Sequence, residues 1–240
     1  MGYARRVAAV PCERTDARQM RETRQMRETR QMRENRGMRL TLPAGDFKAY
    51  LFDCDGTIVD SMPLHYVAWN QALREYGCTS FTEELFYAWG GLPVTAVVEE
   101  LNKRDGLAIP VEEFAHRKES LYYELIHELK AVPEVLEEIH RTHGTIPFAV
   151  VSGSTRESVV KSLETLGILH LFETLVCAGD YARSKPAPDP FLLAAERLGV
   201  AAKDCLVFED ADIGIQAATA AGMQSIRILQ PPERAALAAV

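Results

Sequence analysis

Lys48-Ala49-Tyr50-Leu51-Phe52-Asp53-Cys54-Asp55-Gly56-Thr57 opens the part of the chain whose reading decides the fold. A short apolar run stops at a carboxylate, as a buried strand does when its end emerges from a sheet. Three similar runs follow, Pro147 to Val151, Thr174 to Cys177 and Cys205 to Phe208, with a fifth candidate at Ser225 to Leu229. Helix-period segments lie between them, at Pro133 to Arg141, Thr155 to Leu166, Asp189 to Leu198 and Ile213 to Ala221. Short strands alternating with helices of about ten residues predict an α/β fold with a parallel sheet covered on both faces.

One interval breaks the rhythm. Between Ser61 and Lys130 the sequence shows four helix-like stretches, near 63–76, 82–88, 94–104 and 111–129, and no strand. That is too long for a simple crossover. It predicts an all-helical domain over 63–130, inserted into a core made of 46–62 and 131–240.

With 240 residues, 47% hydrophobic and 25% charged, the chain can bury a sizeable core and is not disordered through most of its length. No stretch approaches the roughly 18 apolar residues of a membrane span. The first ten residues lack the apolar segment of a secretory signal, and Arg6 spoils a myristoylation motif. The five cysteines, Cys12, Cys54, Cys78, Cys177 and Cys205, are scattered and mostly in apolar surroundings, so they read as reduced core residues of a cytoplasmic protein.

The N-terminus differs. Residues 18 to 36 repeat Arg-Gln-Met-Arg-Glu-Thr nearly three times. A period of six matches no helical stripe, so 1–45 is expected to be a solvated, disordered tail. Residues 1–40 hold eleven arginines against five acids, a balance of +6, whereas the other 200 hold 16 basic and 29 acidic residues, a balance of −13. A basic tail can meet nucleic acid, but Tyr3 is its lone aromatic for stacking on bases. No nucleic-acid partner is therefore expected, and Met38 stands as an alternative start.

In open parallel sheets ligands bind beyond the carboxyl ends of the strands. The first strand ends in Asp53 and Asp55, the second in Ser152-Gly153-Ser154 and the fourth in Glu209-Asp210; the loop after the third contains Lys185-Pro186. Several carboxylates at one edge repel one another unless a cation sits among them, and hard oxygen donors favour magnesium. Magnesium and Lys185 are the counter-charge that a phosphoryl group in flight requires. Ser152 and the amides after it suit a phosphate oxygen. Asp53, kept ionised by metal and lysine, can attack phosphorus. Asp55 can protonate the leaving oxygen, a role that wants a raised pKa. Gly56 and Thr57 let the chain turn away.

These residues resemble the four motifs of the haloacid dehalogenase superfamily: Asp53 to Thr57, Ser152, Lys185, and Glu209-Asp210. The resemblance covers nearly all of 48–230 and implies a Rossmann-like core. The position of the helical block resembles the cap of the β-phosphoglucomutase-like subgroup. Within it, Phe208 to Ala218, Lys185 to Asp189 and His65 to Trp69 look most like bacterial fructose-1-phosphate phosphatases. By resemblance, magnesium is held by the Asp53 side chain, the Asp55 carbonyl and Asp210, with Glu209 near or within the shell. His65 resembles a residue that positions the acid. The assignment is then Asp53, Asp55 and Lys185 as catalytic residues, and Thr57, Ser152, Gly153 and His65 at the phosphate or substrate.

Cys54 should point into the core, because a strand alternates faces. Trp69 is expected to pack, the other five histidines to be structural or solvated, and Asp180 and Asp212 to organise loops or caps. The expected activity is hydrolysis of a small sugar or polyol phosphate by a monomer through an aspartyl-phosphate. A phosphomutase is the runner-up, disfavoured because Gly90 to Thr95 offers no cation for a second phosphate. A dehalogenase needs neither the acid nor the metal, and a non-catalytic binding protein would not keep the full set of site residues.

Overall fold

The computed structural model describes residues 40–90 and 92–238. The expectations about the repeat and the charge of the tail lie outside them. The tail was expected to reach 45, yet Leu40 and Leu42 are half-buried against the core, so the packed chain begins earlier.

Five strands form one parallel sheet: β1 (Ala49–Phe52), β2 (Phe148–Val151), β3 (Thr174–Val176), β4 (Cys205–Glu209) and β5 (Gln224–Arg227), in the order β3-β2-β1-β4-β5. The central strands β1, β2 and β4 are buried throughout, which is why their sequences are unbroken apolar runs. At the edge, β5 carries Gln224 and Arg227 to solvent, polar residues that discourage a further strand from pairing.

Alternation along β1 sorts the two faces. Tyr50, Phe52 and Cys54 fall on one side with Phe148 and Phe208. Phe52 stacks on Phe208 at 4.4 Å between centroids and meets Phe148 edge-on at 5.5 Å. The other side is aliphatic, with Ala49, Leu51, Val151 and Val207 packed against Phe191 and Ala217. Cys54 therefore lies fully buried in the aromatic core, as its register predicted, and burial pushes its thiol pKa up.

Four helices fill the predicted block: α1 (Met62–Glu75), α2 (Glu83–Ala88), α3 (Val94–Asp105) and α4 (Val111–Leu125), the last followed by a short turn at Ile126–Glu128. Helices α1 and α4 pack together. Trp69 of α1 seals them, tilted against Phe81 at 5.4 Å and Phe114 at 5.0 Å. The chain enters and leaves the block through two neighbouring crossings, where Asp60 N donates to the Lys130 carbonyl at 2.8 Å and Val132 N to the Ile58 carbonyl at 2.9 Å.

Beyond the block come α5 (Pro133–Thr142), α6 (Arg156–Thr165), α7 (Asp189–Leu198) and α8 (Asp212–Ala220). A ninth helix among the described residues, α9 (Pro231–Ala238), was not expected. It is tied back by Arg234, which donates to Asp60 Oδ1 at 2.8 Å. No helix of the described residues is long and apolar enough to cross a membrane.

Candidate active site

The turn after β1 sets the site. Thr57 N, Ile58 N and Val59 N all donate to the Cys54 carbonyl, at 3.3, 3.0 and 3.0 Å, and this tight loop needs Gly56 at a φ of 88°. A Cβ on Gly56 would overlap the Asp210 carboxylate. Glycine is thus required twice here, by backbone conformation and by space.

Asp53 leaves the end of β1 on the aliphatic side and meets Lys185. The Lys185 ammonium donates to Asp53 Oδ1 at 2.7 Å, Glu209 Oε2 at 2.7 Å and the Val151 carbonyl at 3.0 Å. Three partners use its three protons. Burial works to lower the lysine pKa, but Asp53 and Glu209 outweigh it and raise it above its ordinary value. Glu209 spends its other oxygen, Oε1, on the Ala211 amide at 3.1 Å.

Asp53, Glu209 and Asp210 each bring one oxygen within 4.8 Å of the others, forming the one such cluster found among the described residues. For Asp53, burial and then Glu209 push the carboxyl pKa well up, against the pull of Lys185. Lysine alone therefore does not keep Asp53 ionised, since two further carboxylates stand beside it in a buried place; the expectation gave that task to a metal and the lysine together. Asp210 is pushed up to about 7, by burial first and Glu209 second. Buried hard-oxygen donors that resist being charged together fit a divalent cation.

This has a pH consequence. Without metal, folded Asp210 holds a proton that the unfolded chain has released, so its contribution to stability is complete below about 3.8 and disappears as pH rises through about 7. Metal-free protein is expected to melt at progressively lower temperature from pH 4 to 7, and both added magnesium and Asp210→Asn should flatten that slope. Thermal melts in a chelator across this range check it; an unchanged slope in the Asn variant would contradict the assignment.

Asp55 is held differently. Ser61 Oγ donates to Oδ1 and Ser154 Oγ to Oδ2, each at 2.8 Å, and His65 Nε2 lies 3.5 Å from Oδ1. Burial works to raise this carboxyl, but the hydrogen bonds from His65, Ser154 and Ser61 outweigh it and hold the pKa well below the usual carboxylate range. The raised pKa expected for an acid is thus corrected: the donors leave Asp55 ionised. Ser61 stands at the N-cap of α1 without capping it, its hydroxyl being spent on Asp55.

The other expected residues divide. Ser152 is buried beside β2, its Oγ accepting from Ser154 N at 3.0 Å. Gly153 is exposed, with open space where a Cβ would go. Thr57, grouped with the phosphate-binding residues, is fully buried and donates to Asp210 Oδ1 at 3.2 Å; it orients a carboxylate and does not face the open cleft. His65 is near Asp55, as expected. Asp180 organises its loop, accepting from Cys177 N at 3.1 Å and pairing with Arg156 at 2.6 Å and Arg197 at 3.2 Å, while Asp212 pairs with Arg227.

Several residues escaped the sequence reading. Gln230 Nε2 donates to Asp210 Oδ2 at 3.2 Å; its place just past β5 was the available signal. Gly214 packs so closely on Glu209 that a Cβ would overlap the carboxyl group. A pocket of about 210 Å³ opens beside Asp55 and Ser154, walled by His65, Trp89, Phe81 and Lys118. Lys118 of α4, a cation of a kind that the loop at 90–95 lacks, lines this pocket with its ammonium paired to Glu119 Oε2 at 3.1 Å. Trp69 both packs and borders this pocket.

A family model described as haloacid dehalogenase-like hydrolase matches residues 50–228. The chain belongs to this family. Among haloacid dehalogenase-like hydrolases and their relatives, it is 37% identical over 186 residues to the fructose-1-phosphate phosphatase YqaB of Escherichia coli K12, covering 76% of this chain and 96% of that protein. It is 30% identical over 187 residues to hexitol phosphatase A of the same organism, covering 78% and 85%. A solved family hydrolase from Deinococcus radiodurans R1, with bound phosphate and sodium, superimposes with a TM-score of 0.61 at 28% identity, covering 76% of this chain and 80% of that one.

Proposed function

We propose that this phosphoric monoester hydrolase is a magnesium-dependent phosphatase that cleaves a small sugar or polyol phosphate, of the fructose 1-phosphate kind, through an aspartyl-phosphate on Asp53. The observation that carries this reading is the Lys185 ammonium bridging Asp53 and Glu209 at the strand ends, beside Asp210 and next to a pocket with Asp55 on its wall. The names of the two Escherichia coli relatives support the substrate class.

The Asp53 carboxylate attacks phosphorus, the phosphorus–oxygen bond to the sugar breaks, and Asp55 gives its proton to the departing oxygen. In the second half Asp55 takes a proton from water, whose oxygen attacks phosphorus and frees Asp53. The donors on Asp55 favour its ionised form, which the second half needs. A phosphate dianion beside it favours the protonated form for the first half, because like charge disfavours the carboxylate. The Asp53 side chain, the Asp55 carbonyl and Asp210, with Glu209 beside them, would hold magnesium, which would supply positive charge that keeps Asp53 ionised and offsets the phosphoryl oxygens. Ser152 and the Gly153 amide are read as the ligands of a phosphate oxygen.

The helical block at 63–130 is read as the cap over the substrate. Its pocket is smaller than the roughly 300–1,000 Å³ of drug-sized sites, which favours a small metabolite. A cytoplasmic monomer remains part of this reading. Incubation with a panel of hexose, hexitol and aldonic acid phosphates should release phosphate with magnesium and not with chelator. Silence across the panel would overturn the proposal. One observation favours a second reading, a sugar phosphomutase: Lys118 on the pocket wall could hold a second phosphate. Isomer interconversion without phosphate release would mark that outcome.

A further inference from the structure

We infer that Tyr122 is a positioning residue for the acid: its ring holds His65, and through it Asp55, in the orientation that proton transfer requires. The inference rests on the phosphatase reading above.

The argument starts from His65. Its Nε2 faces Asp55 Oδ1 at 3.5 Å, but its Nδ1 is buried with no hydrogen-bond partner among the described residues. An imidazole is usually oriented by what its second nitrogen binds. Here that constraint is missing, and the ring lies instead flat against Tyr122, with centroids 4.0 Å apart and planes 17° from parallel. The stack therefore sets the imidazole plane.

Tyr122 is itself well fixed. It has no solvent exposure and ranks first in size among the fully buried side chains. Its hydroxyl lies 3.4 Å from Ser162 Oγ on α6, and α6 follows directly the loop whose Ser154 donates to Asp55. One side chain thus connects the helical block to the core. Asp55 consequently receives two hydroxyl donors from the core side and the hinge, and one donor whose aim depends on the block.

The test separates positioning of an acid from mere packing by the leaving group. A sugar alkoxide needs a proton as it departs, whereas p-nitrophenolate does not. Because kcat/KM reports on the transition state relative to free enzyme and substrate, it isolates the step in which the alcohol leaves. With magnesium present, Tyr122→Leu should lower kcat/KM for fructose 1-phosphate by about tenfold to a hundredfold, and for p-nitrophenyl phosphate by less than about threefold. Tyr122→Phe keeps the ring and should stay within about threefold on both esters. Combined with His65→Ala, Tyr122→Leu should add no further loss, since the two act in one path. If the leucine variant does not fold, Tyr122→Met, an unbranched filler without a ring, is read in the same way. Equal losses on the two esters, or a phenylalanine variant as impaired as the leucine one, would overturn the role of Tyr122 alone. No turnover of either ester by the unaltered chain would instead overturn the phosphatase reading beneath it.

Discussion

Asp53→Asn is expected to reduce phosphate release by at least about a thousandfold, equivalent to about 4 kcal/mol of transition-state stabilisation, while leaving the fold intact. The amide oxygen of asparagine can still accept the Lys185 proton that Asp53 Oδ1 now receives at 2.7 Å, so the lysine keeps its place. What is lost is the nucleophile, and no other carboxylate can stand in. Glu209 spends one oxygen on Lys185 and the other on the Ala211 amide. Asp210 is held by Thr57 and Gln230, and Asp55 by Ser61 and Ser154. The stability change has the opposite sign from the activity change. Burial and the charge of Glu209 already push Asp53 toward neutrality, so a neutral isostere removes repulsion, and metal-free protein should melt at an equal or higher temperature. The stabilisation by added magnesium should shrink together with the activity. Steady-state assays and melts with and without magnesium read both quantities; a variant with wild-type turnover would place the nucleophile elsewhere.

Gly214→Ala is expected to destabilise the protein although it adds a single methyl within a helix. In an ordinary helix interior the change favours folding by about 1 kcal/mol, since glycine gives up more backbone freedom. Gly214 lies in the first turns of α8, and its Cβ would overlap the carboxyl carbon, one oxygen and Cγ of Glu209. Glu209 is almost wholly buried and cannot swing away without releasing Lys185 and the Ala211 amide. The overpacking should cost about 1–3 kcal/mol, a fall of several degrees in melting temperature for a chain of this size. Turnover should fall with it as Lys185 loses one of its two carboxylate anchors. Gly153→Ala, with open space at its Cβ, is the control and should not change the melt. A stabilised Gly214→Ala protein would show that Glu209 has room the structure does not show.

Much of this arrangement was legible because a parallel sheet converts sequence position into spatial position. Five apolar runs mark strand ends, and polar residues just past those ends share one edge whatever the loops between them do. Asp53, Lys185, Glu209 and Asp210 could be grouped that way although 157 positions separate the first from the last. Cys54 could be sent to the core from alternation alone. The helical block was legible from its length and its lack of strands.

Other features depend on which donors converge on a side chain, and nothing local encodes that. Asp55 looked like an acid in need of a raised pKa; Ser61 and His65 at the start of α1 and Ser154 after β2 meet it and reverse the sign. Asp53 looked like a carboxylate kept ionised by a metal and a lysine together, and how far burial and Glu209 outweigh the lysine's share shows only in the packed site. Thr57 carries a hydroxyl that suits phosphate, and the turn at Gly56 aims it at Asp210 instead. Lys118 lies at an unremarkable helical position, and only the packing of α4 over the pocket turns it toward the cleft. The sheet, the inserted helices and the identity of the strand-end carboxylates follow from hydrophobic period and order along the chain. Only the tertiary structure decided which of those carboxylates carry charge and which aromatic ring holds His65, because burial, hydrogen-bond partners and Coulomb energy depend on distances between segments far apart in the chain.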